Sequence, residues 1–311
     1  MILYAYNTSR YPNGGYTLND IIIIGGGPAG ASAALYTARA GMRTLIIHKG
    51  GGALDKAEKV DNFYGNPGIT GPALIETGLN HATEMGAKIA HGEVVKIQRD
   101  ITSGHFTVET TNETYTAQAL LLATGTSRIT PAIPGLSTYE GKGVSHCAIC
   151  DAFFYRGKDV AVLGSGPYAI SEANELLPHV KSLTILTNGA EPPTPLPPEV
   201  IIRKEKIREL TGDTRLNAII LEPDGETVPI NGLFIALGVA GATELARKAG
   251  ALTENNAVLI DENMQTIVPG LWAAGDCTGG MKQIAKAVYE GAVAGTSIVN
   301  YLRGAKNTNE N

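Results

Sequence analysis

The sequence predicts an α/β protein built from two Rossmann-like domains, the first of which is interrupted by the second. Two glycine-rich turns, beginning at Gly25 and Gly164, each follow a short apolar strand and precede a helical stretch. The length of 311 residues also favours about two domains. Apolar side chains make up 43% of the chain and charged ones only 18%, so the chain can bury a large core.

The order of elements predicts how the domains divide. The first βαβ unit has strands at 21–24 and 44–47 around a helix at 31–40, and the second has strands at 160–163 and 183–186 around a helix ending near Leu177. A third strand and glycine turn, 270–276, precede a helix from about Gln283 to Leu302. Apolar strands at 120–122 and 232–238 lead out of the first and the second domain. The strand, glycine turn and helix that begin at residue 270 therefore belong to the first domain again. We therefore expect one domain at 1–118 and 246–311 and a central domain at 119–245.

Five prolines within 191–198 predict an extended surface loop.

Composition excludes several classes of protein. The net charge of −5 disfavours a nucleic-acid binder, and the absence of an apolar run of about 18 residues predicts no membrane span. Three cysteines cannot form the disulfide framework of a small secreted protein, which favours a cytoplasmic location. Residues 1–19 lack the basic start and apolar stretch of a secretory signal, and predict either an extra hairpin or loose arm, or an aromatic flap.

The first glycine turn has the spacing of a dinucleotide-binding loop. Gly25 permits the tight turn, Gly27 lets the backbone approach a pyrophosphate, and Gly30 lets the helix pack on the strand. The alternative is a purely structural turn. The acidic residue usual at the end of the following strand is replaced by His48 and Lys49, so we expect different ribose contacts and a site less suited to NAD.

A second anchor for a long dinucleotide is predicted at Gly275 and Asp276, just before a helix. The aspartate would accept hydrogen bonds from ribityl hydroxyls, and the helix dipole would face the cofactor. Alone this pair would be an ordinary turn. Together with the first loop and the segment 123–125 it predicts FAD.

Cys147 and Cys150 are separated by two residues, so their sulfurs can form an exchangeable disulfide. Zinc is the main alternative, but a structural zinc site takes four ligands and only Cys277, His146 and distant histidines remain to supply the other two, so we expect no metal. Asp151 follows the pair and would hold a proton during thiol exchange, or would cap a helix.

These motifs, in this order, closely resemble those of the low-molecular-weight thioredoxin reductases over residues 20–304. They are Gly-Gly-Gly-Pro-Ala-Gly, Asp-Asn-Phe-Tyr-Gly at 61–65, Ala-Thr-Gly, Cys-Ala-Ile-Cys-Asp-Ala-Phe-Phe-Tyr, and Ala-Ala-Gly-Asp followed by Lys-Gln-Ile-Ala-Lys-Ala at 282–287. The resemblance implies a homodimer with FAD in the discontinuous domain. It implies that Cys150 faces the flavin, Cys147 attacks the disulfide of thioredoxin and Asp151 serves as acid and base. It places the cofactor among Gly25, Gly27, Pro28, Ala29, Gly30, His48, Asn62, Val94, Ala123, Thr124, Gly125, Gly275, Asp276, Lys282, Gln283 and Ile284.

The second glycine loop departs from the family. In the family an arginine-rich segment after the next strand binds the 2′-phosphate of NADPH, whereas residues 182–202 contain no Arg or Lys here. Glu191 lies four residues past the position at which an acidic residue would be expected for NADH, inside the proline-rich loop. Pro167 and Tyr168 add bulk where the backbone must approach phosphate. We therefore predict that the central domain does not bind NADPH.

Without a nicotinamide site the enzyme needs another electron donor. The missing basic segment, together with Gly-Gly-Ala-Leu at 51–54 and the sequence of 172–178, gives this chain a pattern that resembles the ferredoxin-dependent flavin thioredoxin reductases. Those enzymes take single electrons from reduced ferredoxin. Because ferredoxins are acidic, the basic run 203–208 is a weak candidate for a docking segment, the alternative being an ordinary solvated face that needs no further explanation. The alternatives are an NAD(P)H-dependent thioredoxin reductase and a non-enzymatic FAD redox sensor.

Two further residues near these motifs are ambiguous from sequence. Cys277 is predicted to be a small buried core residue. His146 either raises the local positive potential beside Cys147 or points to solvent.

Overall fold

The computed structural model describes residues 18–50, 52–125, 131–238 and 240–308. The predicted N-terminal hairpin or flap therefore lies almost entirely outside the described residues. The first stretch contains β1 (Leu18–Ile24), α1 (Pro28–Arg39), β2 (Thr44–His48), α2 (Gly71–Glu84), β3 (Lys88–His91), β4 (Val94–Arg99), β5 (Phe106–Thr110) and β6 (Thr114–Leu122). The middle stretch contains β7 (Val144–Ser145), α3 (Ala148–Asp151), β8 (Asp159–Leu163), α4 (Pro167–Leu176), β9 (Ser182–Leu186), β10 (Ile201–Arg203), β11 (Ile207–Gly212), β12 (Leu216–Leu221), β13 (Thr227–Pro229), β14 (Gly232–Ile235) and α5 (Ala242–Lys248). The last stretch contains β15 (Thr253–Glu254), β16 (Ala257–Val258), β17 (Leu271–Ala273) and α6 (Ile284–Thr308).

The chain divides into two compact units, with boundaries after Gly125 and after Gly250. The first unit is formed by the segments before and after these boundaries, and the second by the segment between them. The ends of β6 and of α5 extend past the predicted boundaries at 118 and 245, because β6 stays in the first sheet to its end and α5 belongs to the second unit.

The first unit is organised around a parallel sheet in the order β3-β2-β1-β6, with β17 paired to the far half of β6. β4 and β5 extend β6 on its near half as antiparallel strands. The four isoleucines 21–24 of β1 are at most 4% exposed, as expected for a strand covered on both faces. The carboxyl ends of β1, β2, β3, β6 and β17 lie at one edge, where a doubly wound sheet binds its ligand.

Two helices, α1 and α6, cover the same part of the first unit and approach each other closely. A Cβ on Gly291 would stand 2.2 Å from the carbonyl oxygen of Ala29, so only glycine permits this approach. Helix α1 begins earlier than predicted, at Pro28, because proline fits the first helical position, where no amide hydrogen bond is lost. Helix α6 runs from Ile284, one residue after the predicted start, to Thr308.

The second unit contains a five-stranded parallel sheet in the order β10-β9-β8-β14-β7 and a separate antiparallel sheet of β11, β12 and β13. Its βαβ unit of β8, α4 and β9 is the second one predicted. The proline-rich segment 191–198 contains neither helix nor strand, as expected. No helix in the described part of the chain has the length and apolarity needed to cross a bilayer.

Candidate functional sites

A dinucleotide cradle in the first unit

The glycine loop after β1 has the geometry that its sequence predicts. Gly25 has φ +114°, a conformation that L side chains rarely adopt. A Cβ on Gly30 would lie 1.9 Å from the carbonyl oxygen of Gly25, so this glycine allows the helix to close on the loop. A Cβ on Gly27 would meet no described atom within 4 Å, which leaves its backbone open to a ligand. The loop therefore presents the start of α1 to an anionic group.

The other residues predicted to hold the cofactor come from loops at the same edge of the sheet. Segment 123–125 follows β6, His48 ends β2, Val94 begins β4, the pair 275–276 follows β17, and segment 282–284 begins α6. One contact joins the last of these regions to another predicted residue, since the Asn62 amide donates to Gln283 Oε1 at 2.8 Å across 221 residues of sequence. The fold thus brings predicted residues together that are distant in the chain.

The loop at Gly275 is held by residues that sequence analysis missed. The Gly275 amide donates to Glu290 Oε2 at 2.8 Å, and Lys286 donates to the Gly275 carbonyl at 3.0 Å while pairing with Glu290. Lys286 and Glu290 are four residues apart on α6, a spacing that places them on one face of the helix. This spacing was the available signal, but nothing local shows that the pair reaches the loop.

Histidines line the edge beside the glycine loop. The rings of His48 and His91 are 5.3 Å apart, and a Cβ on Gly26 would lie 3.0 Å from the His48 ring. Burial lowers the pKa of His48, the neighbouring His91 lowers it further, and Asp55 opposes the change. The His48 ring is therefore mainly neutral at pH 7 and available for neutral hydrogen bonding.

Two buried polar atoms test whether this cradle fits FAD. Thr124 Oγ1 and Glu93 Oε1 have no hydrogen-bond partner among the described residues, and both lie just past strands that end at the ligand edge. Buried polar atoms are rarely left unpaired in folded proteins. Together with the open glycine loop, they fit a large polar ligand such as FAD.

Cys277 lies in the same unit but is buried and shielded from solvent. Its side chain is 1% exposed, its thiol contacts the carbonyl oxygens of Ala274 and Leu122, and burial raises its pKa to about 12. The prediction of a buried core residue is confirmed.

This burial gives a testable result. When the native protein is reduced and treated with iodoacetamide near pH 8, we expect alkylation of the exposed Cys150 and none of Cys277, because only thiolates react quickly. Peptide mass spectrometry measures both. Cys277 should react only after denaturation, and equal labelling in the native protein would contradict its burial.

A redox disulfide in the second unit

Cys147 and Cys150 form a disulfide with their Cα atoms 5.3 Å apart. Cys147 is the N-cap of the four-residue helix α3 and is 3% exposed, whereas Cys150 is exposed. The accessible sulfur of the oxidised protein is therefore that of Cys150. Among the described residues no group of three or more His, Cys, Asp or Glu is arranged to hold a metal ion.

Asp151 is linked to the disulfide through Ser145. The Ser145 hydroxyl donates to Asp151 Oδ2 at 2.6 Å and accepts the Cys147 amide hydrogen at 3.2 Å. The Asp151 side chain makes no capping bond to the turn that follows, so the helix-cap alternative is wrong. The carboxylate is instead tied, through the Ser145 hydroxyl, to the backbone amide of Cys147.

A buried ion pair supports the start of α3. Glu172 on α4 accepts the Ala148 amide hydrogen at 2.7 Å and pairs with Lys248 at the end of α5, and both charged side chains are at most 2% exposed. The Lys248 ammonium also lies 5.2 Å from the Tyr168 ring centre. Sequence analysis missed this pair, because its members are 76 residues apart and Lys248 belongs to no motif.

His146 is buried, and its Nε2 lies 3.1 Å from Glu140 Oε1. The expectation that it points to solvent is therefore wrong. Its carbonyl oxygen accepts a hydrogen bond from the Tyr168 hydroxyl at 3.2 Å. Because Tyr168 is 2% exposed and turned inward, its ring does not crowd the second glycine loop, which corrects that part of the sequence argument.

Two basic residues near the end of β9, Arg203 and Lys204, are already paired with carboxylates. Arg203 binds both Glu205 and Glu226, hydrogen bonds that raise the pKa of its guanidinium, and Lys204 binds Glu191 at 2.9 Å. A 2′-phosphate at this position would compete with these carboxylates. Of the four basic residues in the run 203–208, Arg203, Lys204 and Arg208 pair with carboxylates, which weakens the sequence-based suggestion that the run forms a docking segment.

Comparisons with known proteins show which proteins this chain is similar to. The family described as pyridine nucleotide-disulphide oxidoreductase matches residues 19–291. A thioredoxin reductase of Listeria innocua is 32% identical over 92% of this chain and 95% of its own. The atypical thioredoxin reductase TRi of Desulfovibrio vulgaris Hildenborough superposes with a TM-score of 0.84 at 38% identity, covering 92% of this chain and 98% of its own. A ferredoxin-flavin thioredoxin reductase of Clostridium acetobutylicum gives 0.66 at 31% identity, with coverage of 92% and 98%.

Proposed function

Because this chain belongs to the pyridine nucleotide-disulphide oxidoreductases and, among them, to the thioredoxin reductases, we propose that it reduces thioredoxin with electrons from reduced ferredoxin. Proteins of this family bind FAD, and FAD supplies the means to convert single electrons into the pair that reduces a disulfide. The observation that carries the choice of donor lies after β9, where residues 182–202 contain no Arg or Lys and where Arg203 and Lys204 are held by Glu191, Glu205 and Glu226. The likeness to a ferredoxin-flavin thioredoxin reductase supports the same choice.

The residues of each unit have separate tasks in this proposal. In the first unit the glycine loop binds the pyrophosphate, while Asn62, Asp276 and Gln283 bind the rest of the cofactor. In the second unit two electrons and two protons convert the Cys147–Cys150 disulfide to a dithiol. Asp151, through its bond to Ser145, holds a proton next to the cysteines. The dithiol then transfers two electrons and two protons to the disulfide of thioredoxin and re-forms its own disulfide.

The surface beside the disulfide is suited to a protein substrate. Phe153 and Phe154 follow α3 and are 70% and 65% exposed, and Ile149 between the cysteines is 45% exposed. Exposed aromatic side chains are typical of interface cores. We propose that thioredoxin docks there, that the protein acts as a homodimer and that it works in the cytoplasm.

The test compares electron donors under anaerobic conditions. We expect reduced ferredoxin to bleach the flavin absorbance of the holoenzyme and to produce thioredoxin thiols, and near-stoichiometric NADPH or NADH to do neither at a comparable rate. The Cys150→Ser variant is the control, since it should accept electrons without passing them to thioredoxin.

Two other results of this comparison would each favour a different function. Rapid bleaching by NADPH would replace the proposal with a nicotinamide-dependent thioredoxin reductase. A chemically reduced protein that leaves the thioredoxin disulfide intact would favour an FAD redox sensor.

A further inference from the structure

Glu93 carries a buried carboxylate whose second oxygen is unused. The residue is 5% exposed, its Oε2 pairs with Lys49 at 2.5 Å, and its Oε1 has no hydrogen-bond partner in the part of the chain that the structure describes. Lys49 itself is 54% exposed. If Glu93 served only to pair with this surface lysine, burying its other oxygen would cost free energy that no hydrogen bond offsets. The arrangement indicates a further hydrogen-bond donor at Oε1.

The position of Glu93 identifies the kind of donor. β2 and β3 are parallel with His48 opposite His91, and the Gly92 amide donates to the His48 carbonyl at 3.2 Å. Glu93 therefore stands beside the end of β2, at the ligand edge, and His48 in turn lies against Gly26 of the glycine loop. In dinucleotide-binding folds an acidic residue at the end of the second strand binds the ribose of the adenosine half. The chain lacks an acidic residue there and brings one to the same corner from the third strand.

We propose that Glu93 Oε1 accepts a hydrogen bond from a ribose hydroxyl in the adenosine half of the bound FAD, with Lys49 holding the carboxylate in place. This rests on FAD being the ligand of the first glycine loop. A carboxylate at this corner accepts from a free hydroxyl and repels a phosphate on the ribose. Glu93 is thus a specificity residue for an unphosphorylated adenosine, supplied from a strand that the usual motif does not include.

The test uses protein from which the flavin has been removed and measures its affinity for FAD and for FMN by calorimetry. FMN has no adenosine, so it reports on the rest of the cradle. We expect Glu93→Gln to weaken FAD binding about 10- to 100-fold, because a charged hydrogen bond is lost. FMN binding should stay within about twofold of the unaltered protein. Glu113→Gln, the same change at an exposed position, should alter neither.

Thermal unfolding separates a ligand contact from a structural role. If Oε1 serves FAD, the flavin-free Glu93→Gln protein should melt at or above the temperature of the unaltered flavin-free protein, and only the stabilisation by FAD should shrink. A large fall in the melting temperature of the flavin-free variant would assign Glu93 to the fold instead. Unchanged FAD affinity, or an equal loss of FMN affinity, would overturn the inference. An unaltered protein that binds no FAD would instead contradict the proposed function.

Discussion

Replacing Lys248 with methionine is expected to lower the free energy of unfolding by about 3–5 kcal/mol, the usual cost of breaking a buried ion pair from one side. Lys248 and Glu172 are both almost fully buried, and Glu172 also holds the Ala148 amide at the start of the redox helix. Methionine keeps much of the volume of lysine but leaves the carboxylate without its counter-ion. At roughly 2–4 °C per kcal/mol, the melting temperature should fall by on the order of 10 °C.

Two further variants show whether the loss comes from the uncompensated charge. Adding Glu172→Gln to the Lys248→Met protein removes the stranded charge and keeps an acceptor for the Ala148 amide. The double variant should therefore recover most of the stability. Lys181→Met is the matched control, because Lys181 pairs with Asp159 at the surface and is 68% exposed, so its loss should cost at most about 1 kcal/mol. Equal effects of the two single substitutions would show that burial of the Lys248 pair adds nothing.

Sequence predicted those parts of the molecule that depend on neighbours in the chain. The strand and glycine turn at 21–30 combine an apolar run with a left-handed conformation at Gly25, and each of these acts over a few residues. The Cys147–Cys150 disulfide depends on a spacing of two residues in the same way. Local physics was sufficient for these features, and the structure has them where they were predicted.

Sequence missed the residues whose role depends on the fold. Glu172 and Lys248 meet across 76 residues, and Glu93 is recognisable only because the register of β2 and β3 brings it beside His48. Tyr168 was expected to add bulk to the second glycine loop because it lies two residues after Gly166. Its ring instead packs inward against Lys248. A side chain's direction is decided by packing and by distant partners, which a local motif does not contain.

Substituting either cysteine of the redox pair is expected to reduce the rate of thioredoxin reduction by about 10³-fold or more, since neither cysteine alone can cycle between disulfide and dithiol. Cys277→Ser is the matched control and should keep full activity, because Cys277 is buried and its raised pKa keeps it protonated. The rate is measured as thioredoxin thiols formed with the accepted electron donor. Activity in a variant lacking one of the pair would contradict the assignment of this disulfide to catalysis.

The two single variants also decide which sulfur attacks thioredoxin. We propose Cys147 for this role, yet in the oxidised protein Cys147 is 3% exposed and Cys150 is the accessible sulfur. The proposal therefore requires that reduction make the Cys147 thiolate accessible. A thioredoxin with one active-site thiol, activated as a mixed disulfide with thionitrobenzoate, provides the test. Cys150→Ser should form the covalent complex at least about tenfold faster than Cys147→Ser. The opposite order would assign the attack on thioredoxin to Cys150, the sulfur already exposed before reduction.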